Sequence, residues 1–306
     1  MRDSLRVQRR SRAQRMRVLY LMLLPGIALA FVFKYLPIYG VLMAFTDYHY
    51  VKGILGSPWN DFAYFKLFFQ DPFFGRVLRN TIIIRVYQLV FAFGAPVVFA
   101  LLLNEIRNTA FKKTIQTVSY LPHFVSWVVL GLLVRQLFNP TYGVMPWLFG
   151  LFGAEPVYLL THAPTFRLVL IVTGIWQGVG WGSIIYLAAL SSIDAGLYEN
   201  AAMDGANRLQ QAVHVTIPGL VPVMVILFIL SLGRLLEVGF DQIFNLYNEV
   251  VYEKADIIDT YVYRRGILGS QFGYTAAVGL FKNVAGIVLL ISSNLVIRRF
   301  SEYGIW

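Results

Sequence analysis

Residues 198–218 read YENAAMDGANRLQQAVHVTIP, a polar, alanine-rich stretch interrupted by one glycine and closed by a proline. It lies between two apolar runs, Phe166–Leu190 and Gly219–Leu236, each close to the length of about 20 residues that a membrane-crossing helix needs. Ala201 and Ala202 favour helix and allow close backbone approach. Gly205 is the residue best able to bend the chain. Beyond it, Ala206, Leu209 and Val213 recur at helical spacing and form an apolar stripe, with Asn207, Arg208, Gln210 and Gln211 off that stripe. Pro218 opens the next span, where a missing N–H costs little. The stretch predicts two short helices at an angle, presenting an apolar, small-residue knob. A plain re-entry loop packed on its own bundle fits the same residues.

The rest of the chain sets the frame for that loop. Its 306 residues are 58% hydrophobic and 14% charged, whereas a soluble domain carries about 25% charged residues. The chain reads as an all-α integral membrane protein. Six segments qualify as spans: Val18–Phe45, Asn80–Leu103, Thr117–Phe138, Phe166–Leu190, Gly219–Leu236 and Tyr274–Ile297. The first is overlong and holds Pro25, Lys34 and Pro37, so it is expected to tilt or kink.

An even number of spans puts both ends on one side. Much of the formal net charge of +10 lies in the arginine-rich residues 1–17, and Arg298 and Arg299 follow the last span, so both termini are expected in the cytoplasm. Arg107, Lys112 and Lys113 in the 104–116 loop agree, as does the absence of Lys and Arg from 139–165. The 191–218 loop departs from the pattern, because Asp194, Glu199 and Asp204 outnumber Arg208. Either it meets a basic partner, or acids simply have little influence on topology. The basic tail runs straight into an apolar span, which favours contact with anionic lipid over nucleic acid. A cleaved leader is argued against because apolar character continues through Phe45 with no polar cleavage region.

The expected division is a basic tail at 1–17, a transmembrane domain at 18–300 and a short tail at 301–306. Within the domain, 57–79 reads as an external interfacial segment crowded with aromatics, 191–218 as a cytoplasmic loop, and 237–273 as an external segment too polar to span.

Enzymatic chemistry has no footing in the sequence. There is no cysteine, and the four histidines do not pair at a metal-ligand spacing. No G-x-x-x-x-G-K-[ST], H-E-x-x-H or G-x-S-x-G occurs. No catalytic residue, metal site or cofactor is therefore assigned to this chain. The glycines of GVGWG at 178–182 read as close helix packing.

Ionisable residues inside spans are costly and are functional candidates by default. Arg85, Arg135, Arg234 and Lys282 fall at similar depth in four different spans, and Glu237 and Asp241 follow Arg234 at spacings suited to one helical face. They could line an outward cavity for an anionic solute such as a uronate-containing oligosaccharide, since guanidinium pairs bidentately with carboxylate. Snorkelling to headgroups, or internal pairing with Glu237, fits equally. A second group is aromatic and amide: Trp127, Trp176, Gln177, Trp181 and Tyr186, suited to the apolar faces and hydroxyl edges of sugars, or to membrane packing. Gln177 stands out because a mid-span amide needs a partner. A secondary transporter or channel would be expected to show paired intramembrane acids or an inverted repeat. An intramembrane enzyme would need a nucleophile–base or metal pair.

At this point the opening stretch resembles a known pattern, the EAA loop of permease subunits in binding-protein-dependent ABC importers. That pattern is Glu-Ala-Ala, three residues, Gly, nine residues, then Ile-x-Leu-Pro. Here it reads Glu199-Asn200-Ala201, three residues, Gly205, nine residues, then Val215-Thr216-Ile217-Pro218. Asn200, Val215 and Ile217 depart mildly from it. FKLFFQDPFFGRVLRNT at 65–81, YLPHFVSWVVLGLLVRQLFNPTYG at 120–143 and IIDTYVYRRG at 257–266 are similar to the carbohydrate branch of that family. Its members include permeases of maltose importers, of importers of polysaccharide fragments, and of the alginate importer.

The resemblance implies a type I ABC importer permease fold of six helices in the bacterial cytoplasmic (inner) membrane. It implies two cytoplasmic ATPase subunits carrying ATP and Mg, a second and different permease subunit, an extracytoplasmic solute-binding protein and an oligosaccharide substrate. It implies coupling to the ATPase through Glu199, Ala201, Ala202, Asp204, Gly205, Ala206 and Arg208, by alternating access.

Overall fold

The computed structural model describes residues 2–300 except 152, 154 and 156, with side chains described from Met16 to Arg299; the predicted 301–306 tail lies outside them. Among the described residues the structure is helical, with no strand beyond two isolated bridges, Thr46 to Trp59 and His49 to Gly53. Five helical runs are long and apolar enough to cross a membrane, and a sharply bent helix pair supplies a further candidate. The chain forms two compact units, Met1–Phe69 with Arg265–Leu280, and Gln70–Arg264 with Phe281–Trp306.

In the first unit, α1 (Arg2–Ala30) continues through a π turn at Phe31–Tyr35 into a 3₁₀ run, Leu36–Phe45. The expected kink is a change of winding. The α pattern gives way after Pro25, and Pro37 opens the tighter run, where its missing N–H is tolerated. Phe45 stacks on Trp59 at 5.4 Å and meets Phe62 edge-on, which folds the following loop back onto the helix end. A short amphipathic helix, α2 (Ala63–Gln70), buries Phe68. Residues 74–79, read from the sequence as part of an interfacial segment, instead begin the second span.

The second unit holds that span as α3 (Phe74–Tyr87), a π turn and α4 (Phe93–Glu105), one run of 32 residues. The predicted third span, Thr117–Phe138, is not a single helix. α5 (Thr109–Tyr120) and α6 (Trp127–Leu137) meet at 104°. Pro122 removes a donor from the ladder, and Val125 and Ser126 are extended. After α7 (Met145–Leu151), α8 (Ala163–Ser191) forms the central helix. Gly180 of the GVGWG stretch lies against the Ser119 backbone with no room for a side chain, the close packing expected of it.

α9 (Ala195–Met203), α10 (Arg208–Gln211) and α11 (Ile217–Gly233) follow. The segment expected to be external folds into α12 (Phe240–Leu246), α13 (Tyr252–Ala255) and α14 (Ile258–Val262), and α15 (Phe272–Phe300) completes the chain.

Among the described residues, two cores help to hold the second unit together. One packs Ile243, Leu246, Val251 and Ile257 of the 238–264 stretch onto Ile84, Val134 and Phe166. Residues 238–264 thus form a cap on the ends of α3, α6 and α8. The other core joins Val97 and Ala100 of α4 to Tyr186 and Leu190 of α8 and Leu220 of α11.

Cap and helices meet most closely at Gly131, where a Cβ would lie 2.9 Å from the Asn245 side chain. Gly131→Leu is expected to push α12 off α6 and to cost about 1–3 kcal/mol, the usual cost of overpacking. Thermal unfolding of the detergent-solubilised protein measures it, with Leu132→Ala on the exposed face of the same helix as the neutral control.

Candidate functional site

The loop at 191–218 takes its shape from its own residues. Asp194 caps α9 by accepting the Gly196 N–H at 3.0 Å. The helix ends in a Schellman motif: the Ala206 N–H reaches the Ala201 carbonyl at 2.9 Å and the Gly205 N–H reaches that of Ala202 at 3.1 Å. Gly205 has φ +80, which a side chain would strain. Asn207 and Gln210 then close a capping box, each side chain bonded to the other's backbone N–H. The second short helix expected from the sequence is the start of the next span, since Arg208–Gly233 forms one helical run of 26 residues. The Tyr198 hydroxyl reaches Thr216 Oγ1 at 3.1 Å and ties α9 to that run.

The knob faces outward. Met203 is 80% exposed and Leu209 74%, and Val213 and Leu197 are also exposed. Ala201 and Ala206 are half-buried, while Glu199, Ala202, Asp204, Gly205 and Arg208 are exposed. Among the described residues Glu199, Asp204 and Arg208 form no ion pair with their own chain. The self-packed reading is therefore not what the fold adopts. A shallow concavity of about 240 Å³ between Ala201, Gly205 and His214 completes the surface.

A larger cavity, about 620 Å³, opens among α3, α6, α8 and α11 and is bounded by the cap at Val238, Gly239 and Gln242. Along α8 it occupies the stretch between the two cores. Arg85 lines it: one guanidinium nitrogen donates to the Ser231 carbonyl at 3.0 Å, and its buried Nε has no partner. Gln88 donates to the Val238 carbonyl at 3.1 Å, and Gln242 donates to the Leu170 carbonyl and to Thr173 Oγ1 at 2.7 and 2.9 Å. Gln177 lines the same space, with no hydrogen bond from its amide among the described residues. Trp127, Tyr186 and Arg234 contribute further wall.

The four span cations do not converge. Arg85 and Arg234 share the cavity. Arg135 donates to the carbonyls of Asn245 and Tyr247 at 2.9 and 3.3 Å, closing the C-terminal end of α12. Lys282 pairs with Asp259 of the cap. Arg234 lies beyond the end of α11 in a turn, so Glu237 and Asp241 do not share a helical face with it as the spacing predicted. Trp176 and Trp181 lie on the outer side of α8, each 45% exposed, and Trp181 stacks on His123 at 4.6 Å.

Residues 92–302 match the family described as "Binding-protein-dependent transport system inner membrane component". The chain belongs to that family. The permease is 42% identical over 288 residues to Protein LplB of Bacillus subtilis (strain 168), covering 94% of this chain and 91% of the relative. It is 43% identical over 288 residues to the polygalacturonan/rhamnogalacturonan transport system permease protein YteP of the same organism, covering 94% and 90%. The solved "Crystal structure of bacterial alginate ABC transporter in complex with alginate pentasaccharide-bound periplasmic protein" contains a chain that superposes with TM-score 0.86 and 37% identity, covering 96% of this chain and 99% of that one. The resemblance drawn from Glu199–Pro218 holds at the level of the family and of the type I permease fold. As the membrane component, the permease is not the catalytic subunit of its system.

Three features of the permease escaped the sequence reading. Gln88 is a mid-span amide like Gln177 and was open to the same argument. Gln242 enters the cavity from a segment whose polarity disguised its burial. Arg167 donates to Asn80 Oδ1 at 2.8 Å and to the Lys254 carbonyl, and Asn80 donates to the carbonyls of Glu253 and Asp256. This buried link fastens the cap to α3 and α8, and no local pattern announces it.

Proposed function

We propose that this chain is the membrane-spanning permease of an ATP-driven importer for a carboxylate-bearing oligosaccharide. The observation that carries the reading is the arrangement of the second unit along α11: a cavity lined by the Arg85 guanidinium and the unbonded Gln177 amide on one side of the helix run, and an exposed apolar knob at its start. The run Arg208–Gly233 has 26 residues, about 39 Å at 1.5 Å per residue. That length lets one rigid element join a motor contact to the solute path.

In this reading Glu199, Ala201, Ala202, Asp204, Gly205, Ala206 and Arg208 dock on cytoplasmic ATPase subunits, two per complex, which hold ATP and Mg. Both chain termini lie on that side of the bacterial inner membrane. A second, different permease completes the pathway, and an extracytoplasmic binding protein delivers the sugar to the opposite side. The Arg85 guanidinium and the Gln177 amide take the carboxylate and hydroxyls of the solute, and Trp127 offers an apolar face. Closure of the ATPases then rocks the helices about the cavity. The names of the polygalacturonan/rhamnogalacturonan permease and the alginate transporter support an acidic sugar.

Proteoliposomes holding the assembled complex and its binding protein test the proposal. Uptake of a short galacturonate oligosaccharide is expected to require ATP. Arg85→Gln is expected to lower it by about 10- to 100-fold, the value of one charge-assisted hydrogen bond, and a neutral oligosaccharide of equal length less. Arg85→Lys restores charge and part of the rate. ATP-independent uptake, or equal losses for both sugars, contradicts the reading.

A further inference from the structure

Beside the solute cavity, and sharing Leu230 and Arg234 with it, lies a second cavity of about 430 Å³ between α11 and α15. The two helices nearly touch at one point, where a Cβ on Gly286 would lie 2.9 Å from the Gly233 carbonyl oxygen. The space around that contact is polar at one end, with Arg234, Glu237, Lys282 and Asn283, and apolar at the other, with Leu230, Ile287 and Leu290.

Exposure decides what the cavity faces. Ile287 is 58% exposed and Leu230 44%, so the apolar end opens on the outer surface of the spanning helices. The polar end sits where α11 stops, at Gly233. Leu290 lies two turns further along α15 than Lys282, about 12 Å at 1.5 Å per residue.

The charges at the polar end are the informative part. Lys282 is already committed to Asp259 at 2.5 Å. Arg234 and Glu237 are three residues apart and opposite in sign, yet among the described residues neither forms an ion pair or a side-chain hydrogen bond. Both side chains are exposed and open to a ligand. What remains is one cation and one anion above an apolar slot.

The geometry points to a bound phospholipid whose headgroup carries both a phosphodiester and a primary ammonium. The phosphate takes the Arg234 guanidinium, a planar donor suited to it. The ammonium donates to Glu237 and to the Asn283 side-chain oxygen, and an acyl chain runs along Ile287 and Leu290. A quaternary ammonium has no N–H to give Glu237, and a purely anionic headgroup sets its charge against that carboxylate. This site adjoins the solute cavity and shares Arg234 with it, but it uses neither Arg85 nor Gln177, so it is tested without any sugar.

Native mass spectrometry of the full-length chain, purified in mild detergent with the subunits it is made with, tests it in the absence of sugar and ATP. Phosphatidylethanolamine, phosphatidylcholine and phosphatidylglycerol with identical chains are titrated in turn. The expected result is one ethanolamine lipid retained per permease, about tenfold more tightly than either of the others, as one charge-assisted hydrogen bond is worth. Glu237→Gln is expected to erase that preference, and Ile287→Trp to weaken all three lipids by filling the apolar end. Glu237 is exposed and its amide nearly isosteric, so this variant decides the matter even if the tryptophan variant misfolds. Equal retention of the three headgroups, or an unchanged preference in Glu237→Gln, overturns the assignment. So does a slot that holds no lipid because a neighbouring subunit's helix crosslinks into it.

Discussion

Alanine at position 256 is expected to detach the cap and to lower stability by about 3–5 kcal/mol, the cost of breaking a buried ion pair by removing one partner. The Asp256 side chain is fully buried. It accepts two hydrogen bonds from Arg264, at 2.9 and 2.6 Å, and one from the Thr260 hydroxyl at 2.8 Å. Alanine takes the acceptor from both Arg264 donors, leaves the Thr260 hydroxyl only the Ile257 carbonyl at 3.0 Å, and leaves a half-buried guanidinium without its counter-ion.

Arg264 shows the strength of the arrangement. Burial pulls its pKa down, yet the hydrogen bonds to Asp256 and the attraction of that carboxylate more than offset this, so the guanidinium is held above its usual range. Beside it, burial pushes the Tyr247 phenol up to about 12, so it stays neutral. Arg264 also lies over the Tyr252 ring at 4.6 Å. A loss of 3–5 kcal/mol is a large part of the roughly 5–15 kcal/mol that separates a typical folded protein from its unfolded state. The measurement is the fraction of protein that stays monodisperse after graded heating in detergent. Asp256→Asn keeps two acceptor lone pairs and the shape, and is expected to fall between wild type and Asp256→Ala. A melting curve for Asp256→Ala that overlays the wild type sinks this account of how the cap is held.

Aspartate in place of Leu209 is expected to abolish ATP-driven transport, with a fall of at least about 100-fold, while leaving the fold intact. Leu209 is 74% exposed and Met203 80%, so neither side chain supports the interior. If the knob enters a cleft on the ATPase, Leu209 contributes about 1.5–3 kcal/mol by leaving water, and a buried, unpaired carboxylate adds a penalty of similar or larger size. Together these exceed the 2.7 kcal/mol that corresponds to a factor of about 100. Sugar-stimulated ATP hydrolysis by the reconstituted complex is the first readout, and co-purification of the ATPase with the variant is the second. Since the chain has no cysteine, Ala202→Cys gives a third: crosslinking to a single cysteine on the ATPase that changes with ATP. Undiminished transport by Leu209→Asp removes the knob from the coupling mechanism.

Much of this protein could be read from sequence because local chemistry governs it. Span existence follows from apolar length, since an unpaired backbone group cannot be left in hydrocarbon. The bend at Gly205 follows from a backbone conformation that only glycine adopts without strain. The capping at Asn207 and Gln210 lies within four residues. Nothing distant has to be known for any of these.

What tertiary structure decided depends on residues far apart in the chain. It set the 104° angle between α5 and α6 and ended α11 before Arg234. It folded 238–264 into a buried cap through the Asn80–Arg167 link and the Asp256–Arg264 pair. Sequence placed Arg85, Arg135, Arg234 and Lys282 at one depth, but depth is a single coordinate. The direction of each side chain around its helix, and the carbonyl or carboxylate it finds there, come from packing. That is why Arg85 lines a cavity, Arg135 closes a helix end, and Lys282 is already paired.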